Sequence, residues 1–179
     1  MLMKKVLFII AHKGYQPTEY AIPKKLLEDA GFSVITASDD LGSATATDET
    51  STCVDMLIQD VLVTEYDGIF LVGGSGALEH LDTQVTHTLV NAAVKERKAV
   101  GAICVSTRIL AVAGILKDCK ATGWNADNQL LELYQKYGAI YTPHNVVVDK
   151  RIVTASGPNA AREYGEQIIT LLQDNNDWH

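Results

Sequence analysis

Short apolar runs alternate with amphipathic stretches along nearly the whole chain. Residues 5–11 are almost continuously apolar and predict a buried strand. Residues 18–30 place Tyr20, Ile22, Leu26 and Leu27 on one side, which predicts a helix that Gly31 ends. Residues 32–37 and 67–72 predict two further strands, the second preceded by the turn-like Glu65-Tyr66. A helix over 83–97, a strand over 99–103 and a helix over 105–113 closed by Gly114 follow. Another helix over 128–137 stops at Gly138. Residues 146–148 and 152–155 flank Asp149-Lys150-Arg151, the pattern of a hairpin with a short polar turn. Residues 159–172 predict the last helix, and the polar tail 173–179 is expected to fray.

Strands that alternate with helices predict an α/β fold with a mostly parallel sheet covered on both faces. No repeat, low-complexity segment or flexible linker divides the 179 residues, so a single domain over 1–179 is expected. The composition is that of a globular protein, with 47% hydrophobic and 21% charged residues. A formal net charge of −7 gives no electrostatic attraction toward nucleic acid or an anionic membrane. The apolar run near the N-terminus is short and is followed by His12-Lys13-Gly14, not by a small-residue cleavage site. No stretch is long enough to span a bilayer, and the cytoplasm is the expected compartment. Cys53, Cys104 and Cys119 make an odd, widely spaced set that predicts neither a disulfide framework nor a zinc site. Small buried hydrophobes is the reading that suits Cys53 and Cys119. Nothing in the sequence calls for a metal or an organic cofactor.

In open α/β sheets the ligand crevice lies beyond the carboxyl ends of the strands. Three strand ends carry chemistry there. The first is followed by His12-Lys13-Gly14 and then Glu19 at a helix start. The strand 67–72 runs into Gly73-Gly74-Ser75-Gly76, and the strand 99–103 runs into Cys104 and at once a helix. Cys104 thus occupies an abrupt strand-to-helix turn, the geometry that presents a nucleophile. Thiolates at such helix starts can have pKa values as low as ~3.5–7.5. From position alone, a reactive thiol and an inert buried cysteine are equally good readings. The glycine run fits neither the phosphate-loop nor the dinucleotide spacing. Beside Cys104 it makes a candidate oxyanion hole from Gly73, Gly74 and the N–H of Val105. Glu19 is either a solvated first-turn carboxylate or a carboxyl that reaches the thiol and shares its proton.

The order of these segments resembles the DJ-1/PfpI superfamily, which has a class I glutamine amidotransferase-like fold. The carrying residues are Lys13-Gly14 through Glu19-Tyr20-Ala21-Ile22-Pro23, Tyr66-Asp67-Gly68-Ile69-Phe70-Leu71-Val72-Gly73-Gly74, Ala102-Ile103-Cys104 and Ser156-Gly157-Pro158. The resemblance covers about residues 5–172. It implies a flavodoxin-like three-layer sandwich that assembles as a homodimer or higher oligomer. It carries the nucleophile onto Cys104, the acidic partner onto Glu19 and the oxyanion donors onto Gly73, Gly74 and Val105. Members are variously described as glyoxalases, deglycases, cysteine peptidases, chaperones and oxidation sensors.

The chain departs from that pattern where a histidine is usual. Val105 and not His follows Cys104, then Ser106-Thr107 replace Gly-Pro, and Trp124 stands at or near the other His position. A Cys-His peptidase therefore loses its base, whereas attack on an aldehyde needs only Glu19 to move the proton. Three residues are candidates for a substrate pocket. They are His12 at a strand end, Trp124 as an apolar wall and Arg108 one helical turn after Cys104. Each has a plainer reading, as a loop cap, core packing and a salt bridge. Three functions follow in order: a cysteine-dependent enzyme on a small carbonyl or amide-type substrate, an oxidative-stress sensor or chaperone that oxidises Cys104, and a degenerate ligand binder.

Overall fold

A computed structural model describes residues 3–174; the frayed end expected of the tail falls on 175–179, outside the described residues. Its centre is a seven-stranded sheet. β1 (Lys5–Ile10) pairs in parallel with β3 (Ser33–Ser38) on one side and β7 (Gly68–Leu71) on the other. The sheet continues through β8 (Ala99–Ile103) to β12 (Ile152–Ala155), again in parallel, and β6 (Met56–Leu57) adds to β3 at the opposite edge. The antiparallel partner of β12 is β11 (Val146–Asp149), so 146–155 is the hairpin that its pattern predicts.

β1 shows why both faces are dry. Val6, Phe8 and Ile10 enter one core cluster with Tyr20 and Leu27 of α1 (Pro17–Asp29) and Tyr164 and Ile168 of α6 (Ala161–Gln173). Leu7 and Ile9 enter the other, with Leu89 and Val90 of α3 (Gln84–Lys95), Leu110 of α4 (Thr107–Val112) and Tyr134 of α5 (Leu130–Tyr137). Alternate residues of a strand point to opposite faces, so a continuous apolar run is what a sheet buried on both sides requires. The result is a three-layer α/β sandwich.

Elements missed by apolar periodicity are short and built from small or polar residues. β2 (Lys13–Tyr15), β4 (Gly42–Ala46) and β5 (Ser51–Val54) form a small sheet beside the first strand end. In β4 only Ala44 and Ala46 turn inward, and an alanine stripe is a faint signal. Cys53, expected to be buried, is exposed on β5. The remaining short elements are α2 (Ala77–Leu81) and the paired β9 (Lys120–Ala121) and β10 (Ile140–Tyr141). No helix among the described residues is long and apolar enough to cross a membrane.

Candidate active site

Cys104 stands where β8 ends. The helix expected over 105–113 begins instead as a 3-10 turn over Cys104–Ser106, and α4 follows. Cys104 itself has φ 62°, a left-handed conformation that costs a residue with a Cβ about 1–2 kcal/mol. The turn is held from within. Ser106 Oγ donates to the Val72 carbonyl at 2.7 Å, and Thr107 Oγ1 donates to the Cys104 carbonyl at 3.0 Å. The thiol is thereby presented at the top of the sheet, 9% exposed.

Glu19 lies in the first turn of α1 but is fully buried, not solvated. Its carboxyl lies beside the Cys104 side chain, close enough that each group shifts the other's pKa. Its Oε2 accepts the backbone N–H of Gly73 at 2.9 Å. Burial pushes the carboxyl up to about 7, against the pull of the thiol and of the Gly73 N–H. The thiol is pushed up to about 12, first by burial and then by the charge on Glu19. This reverses the lowered thiol pKa expected of a helix start. The 3-10 turn ahead of the six-residue α4 and the glycine run offer only the local N–H groups of Val105 and Gly74, and these do not offset burial. As a pair, the two groups give up one proton near 7 and the next only near 12.

The glycine run has two distinct jobs. Gly73 is not an oxyanion donor as expected, because its N–H is already committed to Glu19. Its own requirement is steric. A Cβ there would lie 2.5 Å from Glu19 Oε2 and 2.6 Å from Cys104 Cβ. Gly74 has φ 122° and passes so close to β2 that a Cβ would meet the Gly14 carbonyl oxygen at 2.3 Å. The N–H groups of Gly74 and Val105 both pull the Cys104 thiol pKa down and are the donors left for a developing anion. Backbone bonds join the glycine run to the first strand end, from Gln16 N–H to the Gly73 carbonyl at 2.9 Å and from Gly76 N–H to the Gly14 carbonyl at 3.1 Å.

The three expected pocket residues fare differently. Trp124 is half-buried beside the elbow, and its N–H donates to the Cys104 carbonyl at 3.3 Å. Arg108 does not face a substrate. It is 4% exposed, donates to both oxygens of Asp127 at 2.9 and 2.6 Å and to the Trp124 carbonyl at 3.2 Å, and sits 5.5 Å from the indole ring. It is the strut of the Trp124 loop, through an aspartate that no spacing in the sequence singles out. His12 is engaged by a loop, as its plainer reading expects: its Nε2 meets the Leu41 carbonyl at 3.0 Å. His80 pairs with Asp39 at 2.8 Å and His87 with Asp82 at 2.6 Å, while His144 is in an exposed loop. Among the described residues, no histidine is among the groups that act on the Cys104 sulfur, and no cluster of three metal-ligating side chains occurs.

Comparison with protein families matches residues 4–171 to the DJ-1/PfpI family. Among curated proteins, the chain is 37% identical over 175 residues to the uncharacterized protein MJ0967 of Methanocaldococcus jannaschii, covering 97% of this chain and 84% of that one. It is 28% identical to a candidate cysteine protease, YraA of Bacillus subtilis, covering 96% of this chain and all of that one. It is 24% identical to the glutathione-independent glyoxalase DJR-1.2 of Caenorhabditis elegans, covering 95% and 89%. Among solved structures, a ThiJ/PfpI domain protein from Brachyspira murdochii superposes with a TM-score of 0.92 at 27% identity, covering 98% of this chain and all of that one. With the elbow cysteine, the buried glutamate and the glycine run in one crevice, the chain belongs to the DJ-1/PfpI family.

Proposed function

We propose that Cys104 attacks the carbonyl carbon of a small aldehyde-type substrate, with Glu19 as its proton partner. The observation that carries this reading is the buried Glu19–Cys104 pair, whose carboxyl is raised to about 7. A group with that value changes protonation at neutral pH, where a base is most useful.

The chemistry follows from the pair. Near neutral pH the thiol carries its proton, so no preformed thiolate is needed. As sulfur bonds the carbonyl carbon, the thiol proton passes to the Glu19 carboxylate. The carbonyl π electrons move onto oxygen, where the N–H groups of Gly74 and Val105 offer donors. Return of the proton from Glu19 to that oxygen gives a neutral hemithioacetal. Without a histidine to protonate an amine leaving group, peptide hydrolysis is the weaker fit. Trp124 and its Arg108 strut favour a small, partly apolar substrate.

A screen of small aldehydes and dicarbonyls tests this, with product measured directly. Wild type should turn over at least one, and Cys104→Ala should show no turnover. Full activity in Cys104→Ala overturns the reading. A second reading, oxidation sensing, draws on the same donors: the two N–H groups that favour the thiolate would also hold a sulfinate. Mild peroxide followed by mass spectrometry should then modify Cys104 selectively, ahead of the exposed Cys53.

A further inference from the structure

Four buried side-chain polar atoms have no hydrogen-bond partner among the described residues, and two of them belong to helices that pack on each other, α1 and α6. They are Glu19 Oε1 and the hydroxyl of Tyr164. Both residues are fully buried. An unpartnered buried polar atom is costly and is rarely left so, and a pair of complementary orphans is the economical remedy.

The packing sets their two helices side by side. Tyr164 lies on α6, whose next residue, Gly165, packs directly on α1: a Cβ at Gly165 would lie 3.0 Å from Pro23 Cα and 2.9 Å from Leu26 Cδ1. Pro23 is one helical turn beyond Glu19. The Tyr164 ring packs edge-on against Phe70 of β7, the strand that delivers Gly73 to Glu19 Oε2. The charge of Glu19 is also felt at the Tyr164 hydroxyl, which burial already raises well above its ordinary value.

We infer that Tyr164 is a positioning residue for the active pair, its hydroxyl donating to Glu19 Oε1 through one buried water. The inference rests on the reading of Glu19 and Cys104 as a working pair. It adds a third member at the back of the site, so that each oxygen of the carboxylate has a donor: Gly73 N–H on Oε2 and, through the water, Tyr164 on Oε1. The bond favours the ionised carboxylate and fixes the plane of the carboxyl facing the thiol. The titratable groups that face Glu19 are Cys104 from the elbow and Tyr164 from α6. The glycine run contributes none, and Arg162, Glu163 and Glu166 of α6 are exposed.

The test is the rate of Cys104 alkylation by iodoacetamide against pH, read by mass spectrometry of the Cys104 peptide. Wild type should rise near pH 7 to a plateau as the pair loses its first proton. Tyr164→Phe should move that rise upward by about one pH unit, the scale of one hydrogen bond to a charge. The same change made in Glu19→Gln should shift nothing. An unmoved profile in Tyr164→Phe overturns the inference, and so does an equal shift in the Glu19→Gln background. If Glu19→Gln itself keeps the rise near 7, the pair reading fails as well. A high-resolution crystal structure of the unaltered protein gives a check that needs no variant. One buried water should lie ~2.7 Å from both the Tyr164 oxygen and Glu19 Oε1. A hydroxyl without that water overturns the inference.

Discussion

The backbone N–H of Gly73 donates to Glu19 Oε2 at 2.9 Å, and the same glycine leaves room for the Cys104 side chain to approach the carboxyl. Its lack of a side chain is therefore part of the site. Gly73→Ala should drive the carboxyl and the thiol apart. Stability should fall by about 1–3 kcal/mol, the range for overpacking a filled core. A chemical denaturation curve reads that loss, and kcat/KM on an accepted aldehyde should fall at least about tenfold, the scale of misplacing a proton-transfer group.

Turnover should follow the protonation of the pair. The thiol proton needs an ionised Glu19 to receive it, and that carboxyl titrates at about 7. Activity should therefore rise with pH through about 7 and level off above it. Glu19→Gln should lose this rise and most of the rate, by about 100-fold or more. A pH profile of kcat/KM with both proteins decides it.

Stability should carry the opposite signature. Glu19 titrates at about 7 when folded against an ordinary value of 4.5, so the folded state holds its proton more tightly. The resulting stabilisation is present in full below 4.5 and is lost as pH rises through about 7. The interval corresponds to about 3 kcal/mol. Glu19→Gln has no such slope, so between pH 4 and pH 8 it should gain on wild type by about that amount. Urea unfolding at the two pH values measures it.

Asp127 should control the Trp124 loop. It neutralises the buried Arg108, which in turn holds the Trp124 carbonyl and faces its ring. Asp127→Asn leaves the guanidinium without its counter-charge and should loosen the loop. The indole emission should shift to the red and become more accessible to acrylamide. Trp178 is the other tryptophan, so the measurement belongs in a Trp178→Phe background. An unchanged spectrum would place the support of Trp124 elsewhere.

Much of the fold was legible because the sheet is buried on both faces. Runs such as 5–11, once its likeness to a signal segment was set aside, and 99–103 read as buried strands, and glycines after residues 30 and 137 marked helix ends. β4 and β5 were not legible, since their inward residues are Ala44, Ala46, Thr52 and Val54, too few and too small for a clear pattern, and their pairing is set by the neighbouring β2. At the site, residue types and strand ends pointed to Cys104 and Glu19. The division of labour among the backbone N–H groups was hidden. Gly73 and Gly74 are the same letter, and only the fold turns one toward the carboxylate and the other toward the sulfur. Arg108 was left between a pocket group and a salt bridge, and the structure bears out the second with a partner the sequence did not mark. Its burial depends on Asp127, which lies in a loop without periodicity.

The crevice walls are stitched to each other by main-chain bonds, from Gln16 to Gly73 and from Gly76 to Gly14. Bonds of that kind make no reference to side-chain identity, except where a Cβ would intrude. The frame is thus indifferent to most substitutions, and the lining is free to change over it. A single exchange at a position such as Trp124 can redraw the shape offered to a substrate while the attacking atom and its proton partner keep their places. A scaffold built this way separates what it can do from what it does it to.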